Sequence, residues 1–200
     1  MGWKLFERYL EAKKIAQPKY FLYENNYGIA QEIQDAISEK LGVEPIMIDS
    51  ALVSAQRRKR LYWTNIPGVQ QPEDKGVLTK DIICNDESLI KHFDDRIRNT
   101  LKITENYIKY DLGGKGHYSQ QDRMYFLNKK APTIPRCRTK FNVYLGGETY
   151  KKTCPVEIER LQTLPDNYTE GVPKTRRYEA LGNGWTVDVI AHILSYAKDL

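Results

Sequence analysis

Phe21-Leu-Tyr-Glu-Asn-Asn26, or FLYENN, is an apolar run that stops abruptly in a carboxylate and two amides. Tyr20 to Tyr23 has the length and aromatic content of a short buried strand. Glu24 then stands at the carboxyl end of that strand, where ligand-handling groups collect in α/β sheets. Upstream, Leu5, Phe6, Tyr9, Leu10 and Ala12 fall at roughly helical spacing, and Pro18 ends that helix. Downstream, Ile33, Ala36, Ile37 and Leu41 recur at i, i+3, i+4 and i+8, with Gly42 as the stop signal. Pro45 to Ser50 and Arg60 to Ile66 read as two more strands. Helix, strand, helix, strand, strand is a piece of an α/β layer.

Bulk properties set the frame. The 200 residues are 40% apolar and 28% charged, which is globular composition and not that of a disordered chain. A net charge of +5 permits a polyanionic partner without demanding one. Cys84, Cys137 and Cys154 are far apart and odd in number, with no CxxC pair. They suggest neither a zinc site nor a disulfide framework, so no metal is expected and a reducing, cytoplasmic setting is the simplest reading. No apolar run approaches the ~18 residues of a membrane span.

The texture changes after Pro67. Residues 67–77 make a polar connector, and residues 78–150 read as irregular, with short apolar runs between turn signals. Asp111 to Arg123 is a glycine-rich polar loop without the spacing of a phosphate loop. Arg123 to Ile134 reads as a β-hairpin around Asn128 and Lys129. Asp122 to Lys140 carries six Lys or Arg residues and one Asp, with Tyr125, Phe126 and Phe141 in or beside it. Basic groups interleaved with aromatics suit a nucleic-acid surface, although such a run alone is more often a solvated face. Order returns at Cys154 to Pro165, a short helix with proline in its first turn. Gly182-Asn183-Gly184 reads as a tight turn, and Val187, Ile190, Ala191 and Leu194 as a closing amphipathic helix.

Four blocks of this chain together resemble, in order, the DNA cytosine-C5 methyltransferases of phages and bacterial restriction-modification systems. FLYENN is similar to that family's strand ending in Glu-Asn-Val. SAQRRKRLYW (Ser54 to Trp63) is similar to its Gln-x-Arg-x-Arg block, a neighbourhood that also resembles the animal de novo methyltransferases. CPVEIERLQTLPDNYT (Cys154 to Thr169) resembles its Pro-x-Glu-x-x-Arg-Leu-Gln-x-x-Pro block. ALGNGWTVDVIAHI (Ala180 to Ile193) resembles its final Gly-Asn block and helix.

The resemblance implies a chemistry. A cysteine adds to cytosine C6, C5 takes a methyl group from S-adenosyl-L-methionine, and the C5 proton leaves. The ring accepts the nucleophile only if charge at N3 is met by an acid, and Glu24 matches that glutamate. Arg60 matches the arginine expected at the cytosine carbonyl oxygen, and Arg58 a bracing arginine. The target base must leave the stack to reach them. Asn183 and Gly184 match the wall of the cofactor pocket, although a plain turn explains Asn183 equally well. Arg160 and Gln162 match structural positions of the small domain. Double-stranded DNA is the implied partner, with Gln56, Arg123, Lys129, Lys130, Arg136, Arg138 and Lys140 as the candidate contacts.

Two family features have no counterpart here, the Phe-x-Gly-x-Gly turn that seats the cofactor and the Pro-Cys-Gln loop that carries the nucleophile. Cys154 precedes a proline instead of following one, and none of the three cysteines matches the nucleophile. The chain therefore reads as beginning after that loop and as inactive alone. A fragment of a longer enzyme, a subunit completed by an N-terminal half, and a non-catalytic DNA-binding relative all remain open. The expected fold is a partial Rossmann-like methyltransferase sheet (residues 1–66), an inserted, irregular β-rich target-recognition domain (67–172), and a closing turn and helix (173–200). An incomplete sheet leaves an open edge, so self-association is expected.

Overall fold

The structure, a computed structural model, describes residues 2–111, 122–135 and 140–197. Its contacts divide it into two compact units. The first comprises Met1–Ile48, Lys59–Gln71 and His192–Leu200, and the second Asp49–Arg58 and Pro72–Ala191.

The first unit opens with α1 (Gly2–Ala16), β1 (Leu22–Asn26), α2 (Gln31–Leu41), β2 (Ile46–Asp49) and β3 (Lys59–Thr64). The sheet order is β1-β3-β2. β1 and β3 run antiparallel, with Tyr23 opposite Trp63, Glu24 opposite Tyr62 and Asn26 opposite Arg60. Side chains alternate across a strand, so Tyr23 and Trp63 share one face while Glu24 and Arg60 share the other. On the first face, Trp63 joins Phe6, Phe21, Ile37 and Leu41 in a core. The Trp63 indole N–H donates to Ser38 Oγ at 2.9 Å, so its buried polar atom is satisfied. Gly42 closes α2 with φ at 73°, and its N–H donates to Ser38 O. That left-handed geometry is the reason glycine stands there.

β1 begins two residues later than the apolar run and extends past it, so Glu24 is the third of five strand residues and not the end. The polar side chains do not stop the strand, because β3 supplies backbone partners as far as Asn26.

The second unit contains α3 (Thr79–Ile82), β4 (Ile90–His92), α4 (Asp95–Thr100), β5 (Lys102–Ile103), β6 (Tyr107–Lys109), β7 (Arg123–Phe126), β8 (Asn142–Gly146), β9 (Thr149–Lys152), α5 (Pro155–Leu161), α6 (Lys174–Asn183) and α7 (Val187–Leu194), the last turn of α7 being grouped with the first unit. The segment expected to be irregular thus builds a six-stranded sheet in the order β4-β9-β8-β7-β6-β5. Phe141, Val143, Ile158, Leu161 and Leu181 form part of its core.

Two local expectations are corrected. There is no hairpin around Asn128 and Lys129. β7 pairs antiparallel with β6 and parallel with β8, leaving no edge for the following residues. Those residues turn away instead, and Ala131 exchanges backbone hydrogen bonds with Ala55 and Arg57. Gly182 and Asn183 are not a turn either. They complete α6, and Gly184 caps it by donating its N–H to Ala180 O at 2.8 Å. Among the described residues no helix is long and apolar enough to cross a membrane.

Candidate active site

In the first unit, pairing of Asn26 with Arg60 makes Glu24 and Arg60 diagonal neighbours on one sheet face. Arg60 Nε lies 2.9 Å from Glu24 Oε1, with the two side chains 14% and 20% exposed. The guanidinium is held further by Nη1 donating to Lys59 O at 2.8 Å. A carboxyl and a guanidinium are thus fixed side by side on two paired strands, mostly screened from water, yet not sealed. Such a pair can meet the donor and acceptor edge of a planar ring.

Gln56, Arg58 and Gln162 lie together in the second unit. Gln162 is fully buried. Its Nε2 donates to Leu181 O at 2.6 Å and Gly184 O at 3.1 Å, and its Oε1 accepts from Gln56 Nε2 at 3.1 Å and Thr186 Oγ1 at 2.9 Å. Two donors and two lone pairs are all engaged, so this side chain is completely satisfied. Gln56 Nε2 also reaches Leu161 O, while its Oε1 accepts from the Ile134 N–H at 2.9 Å. Gln56 is itself fully buried. The DNA contact expected of it is therefore corrected to an internal cross-link, because its amide faces protein on every side. Arg58, 5% exposed, donates from Nη1 to Ile134 O and from Nη2 to Gly182 O and Gly184 O. It braces backbone carbonyls at the end of α6.

The remaining candidates divide by their partners. Arg160 holds Asp166 through two parallel bonds of 2.8 and 2.6 Å and donates to Ile82 O. Lys130 reaches Ser54 O at 3.2 Å, and Ala51 O as well. The Arg123 guanidinium stacks over Tyr107 at 4.7 Å, and Lys140 Nζ lies 5.4 Å from the Tyr178 ring centroid. Lys129 lies 3.5 Å from Glu105. Arg136 and Arg138 lie outside the described residues.

Gly184 N–H and C=O are both engaged within the fold. A Cβ there would meet Ala180 O at 3.3 Å and Leu181 O at 3.5 Å, so backbone packing already favours glycine. Asn183 is exposed and sits next to the half-exposed Trp185.

Two buried carboxylates, Glu157 and Glu159, had no role in the sequence reading. Glu157 is the third residue of α5 and accepts the Cys154 N–H at 2.8 Å. Its place two residues after Pro155 is a capping signal that could have revealed it. Glu159, fully buried, accepts the N–H groups of Asn167 and Thr169 at 2.7 and 2.9 Å and pairs with Arg177 at 2.8 Å. Nothing local marks Glu159, because its partners come from the loop after α5 and from α6.

Comparison with known proteins matches residues 2–198 to the family described as C-5 cytosine-specific DNA methylase. The rice (Oryza sativa subsp. japonica) DNA (cytosine-5)-methyltransferase DRM2 is 31% identical over 196 residues, covering 92% of this chain and 31% of that protein. The Type II methyltransferase M.Sau3AI of Staphylococcus aureus is 46% identical over 99 residues, 49% of this chain and 23% of its own length. The chain thus spans a third or less of the length of these curated relatives. Among solved structures, a DNA modification methyltransferase described as encoded within an E. coli prophage superposes with a TM-score of 0.61 at 17% identity, covering 96% of this chain and 72% of that one. The Entamoeba histolytica methyltransferase EhMeth gives 0.61 at 15% identity, covering 90% and 62%. The mixed α/β architecture is the Rossmann-like methyltransferase fold that these structures share.

Proposed function

Because the chain belongs to the C-5 cytosine-specific DNA methylase family, we propose that it supplies the acid, the base-binding arginine and the target-reading unit of a DNA cytosine-C5 methyltransferase. The observation that carries this reading is the Glu24–Arg60 pair, held at 2.9 Å on one face of β1 and β3. Glu24 meets N3 of an extrahelical cytosine and balances the charge that develops there when a nucleophile adds at C6. Arg60 turns from Glu24 to the carbonyl oxygen of the same ring, so one ion pair is exchanged for two contacts with the base. The base pays for its unstacking with these contacts. Arg58 is a positioning residue, fixing the carbonyls that end α6.

S-adenosyl-L-methionine supplies the methyl group in this family. Asn183 is the side chain this chain offers to the edge of its site, and the cradle and the nucleophile come from a further segment or subunit. Arg123, Lys129, Lys140, Arg136 and Arg138 contact duplex DNA, with Lys130 contributing charge from its tethered position. Phosphate contacts of this kind set affinity and register, while base-edge contacts set the sequence read.

The test is methyl transfer from tritiated S-adenosyl-L-methionine to cytosine in duplex DNA, by the protein as its own host produces it. Glu24→Gln lowers turnover by about 10²- to 10⁴-fold, the range for loss of a general acid, and leaves DNA affinity unchanged. Full turnover by the variant overturns the role of Glu24. A natural protein that binds DNA yet transfers no methyl group supports instead a non-catalytic DNA-binding relative.

A further inference from the structure

A cluster in the second unit takes no part in that chemistry. The segment after α3 brings Cys84 Sγ to 3.4 Å from Cys154 Sγ, across 70 residues of chain. The Cys84 N–H and thiol both donate to Glu157 Oε1, at 3.0 and 3.2 Å. Lys151, 2% exposed, pairs with Glu157 and donates to the Cys84 carbonyl, its Nζ 3.4 Å from Cys84 Sγ. Both cysteines are half-buried as residues.

The Cys84, Cys154 and Glu157 ligand atoms lie within 4.8 Å of one another, close enough in principle for a metal ion. The charges argue otherwise. The Lys151 ammonium already neutralises Glu157, and a divalent cation would sit against that fixed positive charge. Two neutral thiols in contact can instead lose their hydrogens and leave the site as neutral as before, with no charge added to a buried place.

We propose that Cys84 and Cys154 are a reversible redox site that reacts with a low-molecular-weight disulfide and closes to an intrachain disulfide. Burial, then hydrogen bonding with Cys154 and Glu157, pushes the Cys84 thiol up to about 12, so Cys84 is not the first nucleophile. The Cys154 sulfur, its proton lost to solvent, attacks one sulfur of the reagent and expels the other half as a thiolate. Cys84 then passes its proton to Glu157, attacks Cys154 Sγ and expels the second thiolate. The expelled thiolates take up the two protons. Two protein thiols and one reagent disulfide become one protein disulfide and two reagent thiols. The product ties the segment after α3 to the start of α5 and restricts the unfolded chain.

The experiment treats the whole chain with oxidised glutathione and maps its peptides under non-reducing conditions by mass spectrometry. The expected product has lost two hydrogens, carries a peptide linking Cys84 to Cys154, unfolds at a higher temperature, and reverts with dithiothreitol. Cys137→Ser keeps the link, and Cys84→Ser stops at a glutathione adduct on Cys154. Stable glutathione adducts on the wild-type chain without that link, or a link made through Cys137, overturn the proposal. The wild-type map decides the matter even if Cys84→Ser does not fold.

Discussion

At the scale of single residues, the buried carboxylate of Glu159 shows how a charge survives inside this fold. Burial pushes its carboxyl up, but hydrogen bonds from Thr169 and Arg177 and from the N–H groups of Thr169 and Asn167 outweigh burial and hold it below the ordinary range. A depressed carboxylate contributes stability that is present above its unfolded pKa and is lost as pH falls through the lower folded value. The wild-type unfolding midpoint is therefore expected to drop as pH is lowered below about 4.3, the ordinary glutamate value. Glu159→Gln should be less stable near neutrality and should lose less on acidification. Thermal melts across that range check this, and parallel curves for the two proteins would remove Glu159 from the acid response. Glu24 and Arg60 could be named from sequence because each lies in a recognisable block. Their contact could not, because 36 residues separate them and only the register of β1 on β3 joins them.

At the scale of elements, the body and the stop of α2 were legible, while its start, read at Gly28, lies at Gln31. Its apolar spacing gave the body, and Gly42 gave the stop at φ 73°. Gly42→Ala is expected to destabilise by about 1–2 kcal/mol, the cost of a left-handed L-residue. A Cβ there meets nothing within 4 Å, so the cost is conformational alone. Urea unfolding measures it, and no change in midpoint would mean the cap relaxes. α6 was not legible. Lys174 to Asn183 has few apolar residues, and Gly182-Asn183-Gly184 has the chemistry of a turn. Burial of Tyr178, Leu181 and Gly182 overrides that local preference, as does the use of the Leu181, Gly182 and Gly184 carbonyls as acceptors for Gln162 and Arg58. The hairpin failed for a related reason. Its two arms have the right composition, but β8 takes the free edge of β7 from 16 residues further along the chain.

For the whole molecule, the sheet of the first unit carries the sharpest expectation. Among the described residues, β1 and β2 are its outer strands. Leu5 and Ile15 on α1 are 69% and 84% exposed. Open edges and exposed apolar side chains recruit further strands or further copies. The chain alone is expected to self-associate, seen as an apparent mass that rises with concentration in light scattering. A monodisperse monomer over a wide concentration range would defeat that expectation, and loss of the association on adding a completing subunit would identify the edge concerned.

Sequence by itself determined the family, through four blocks that resemble it, and the α/β character of the first unit. The family rests on resemblance in short blocks and the α/β character on local spacing, both of which a chain carries before it folds. Tertiary structure alone decided that Gln56 is an internal cross-link, that the strands between Ile90 and Lys152 join in the order β4-β9-β8-β7-β6-β5, and that Cys84 meets Cys154. The cross-link, the thiol contact and the pairing of β4 with β9 each depend on partners tens of residues away. Hydrogen-bond satisfaction in a buried place selects such partners, and no local pattern records the choice.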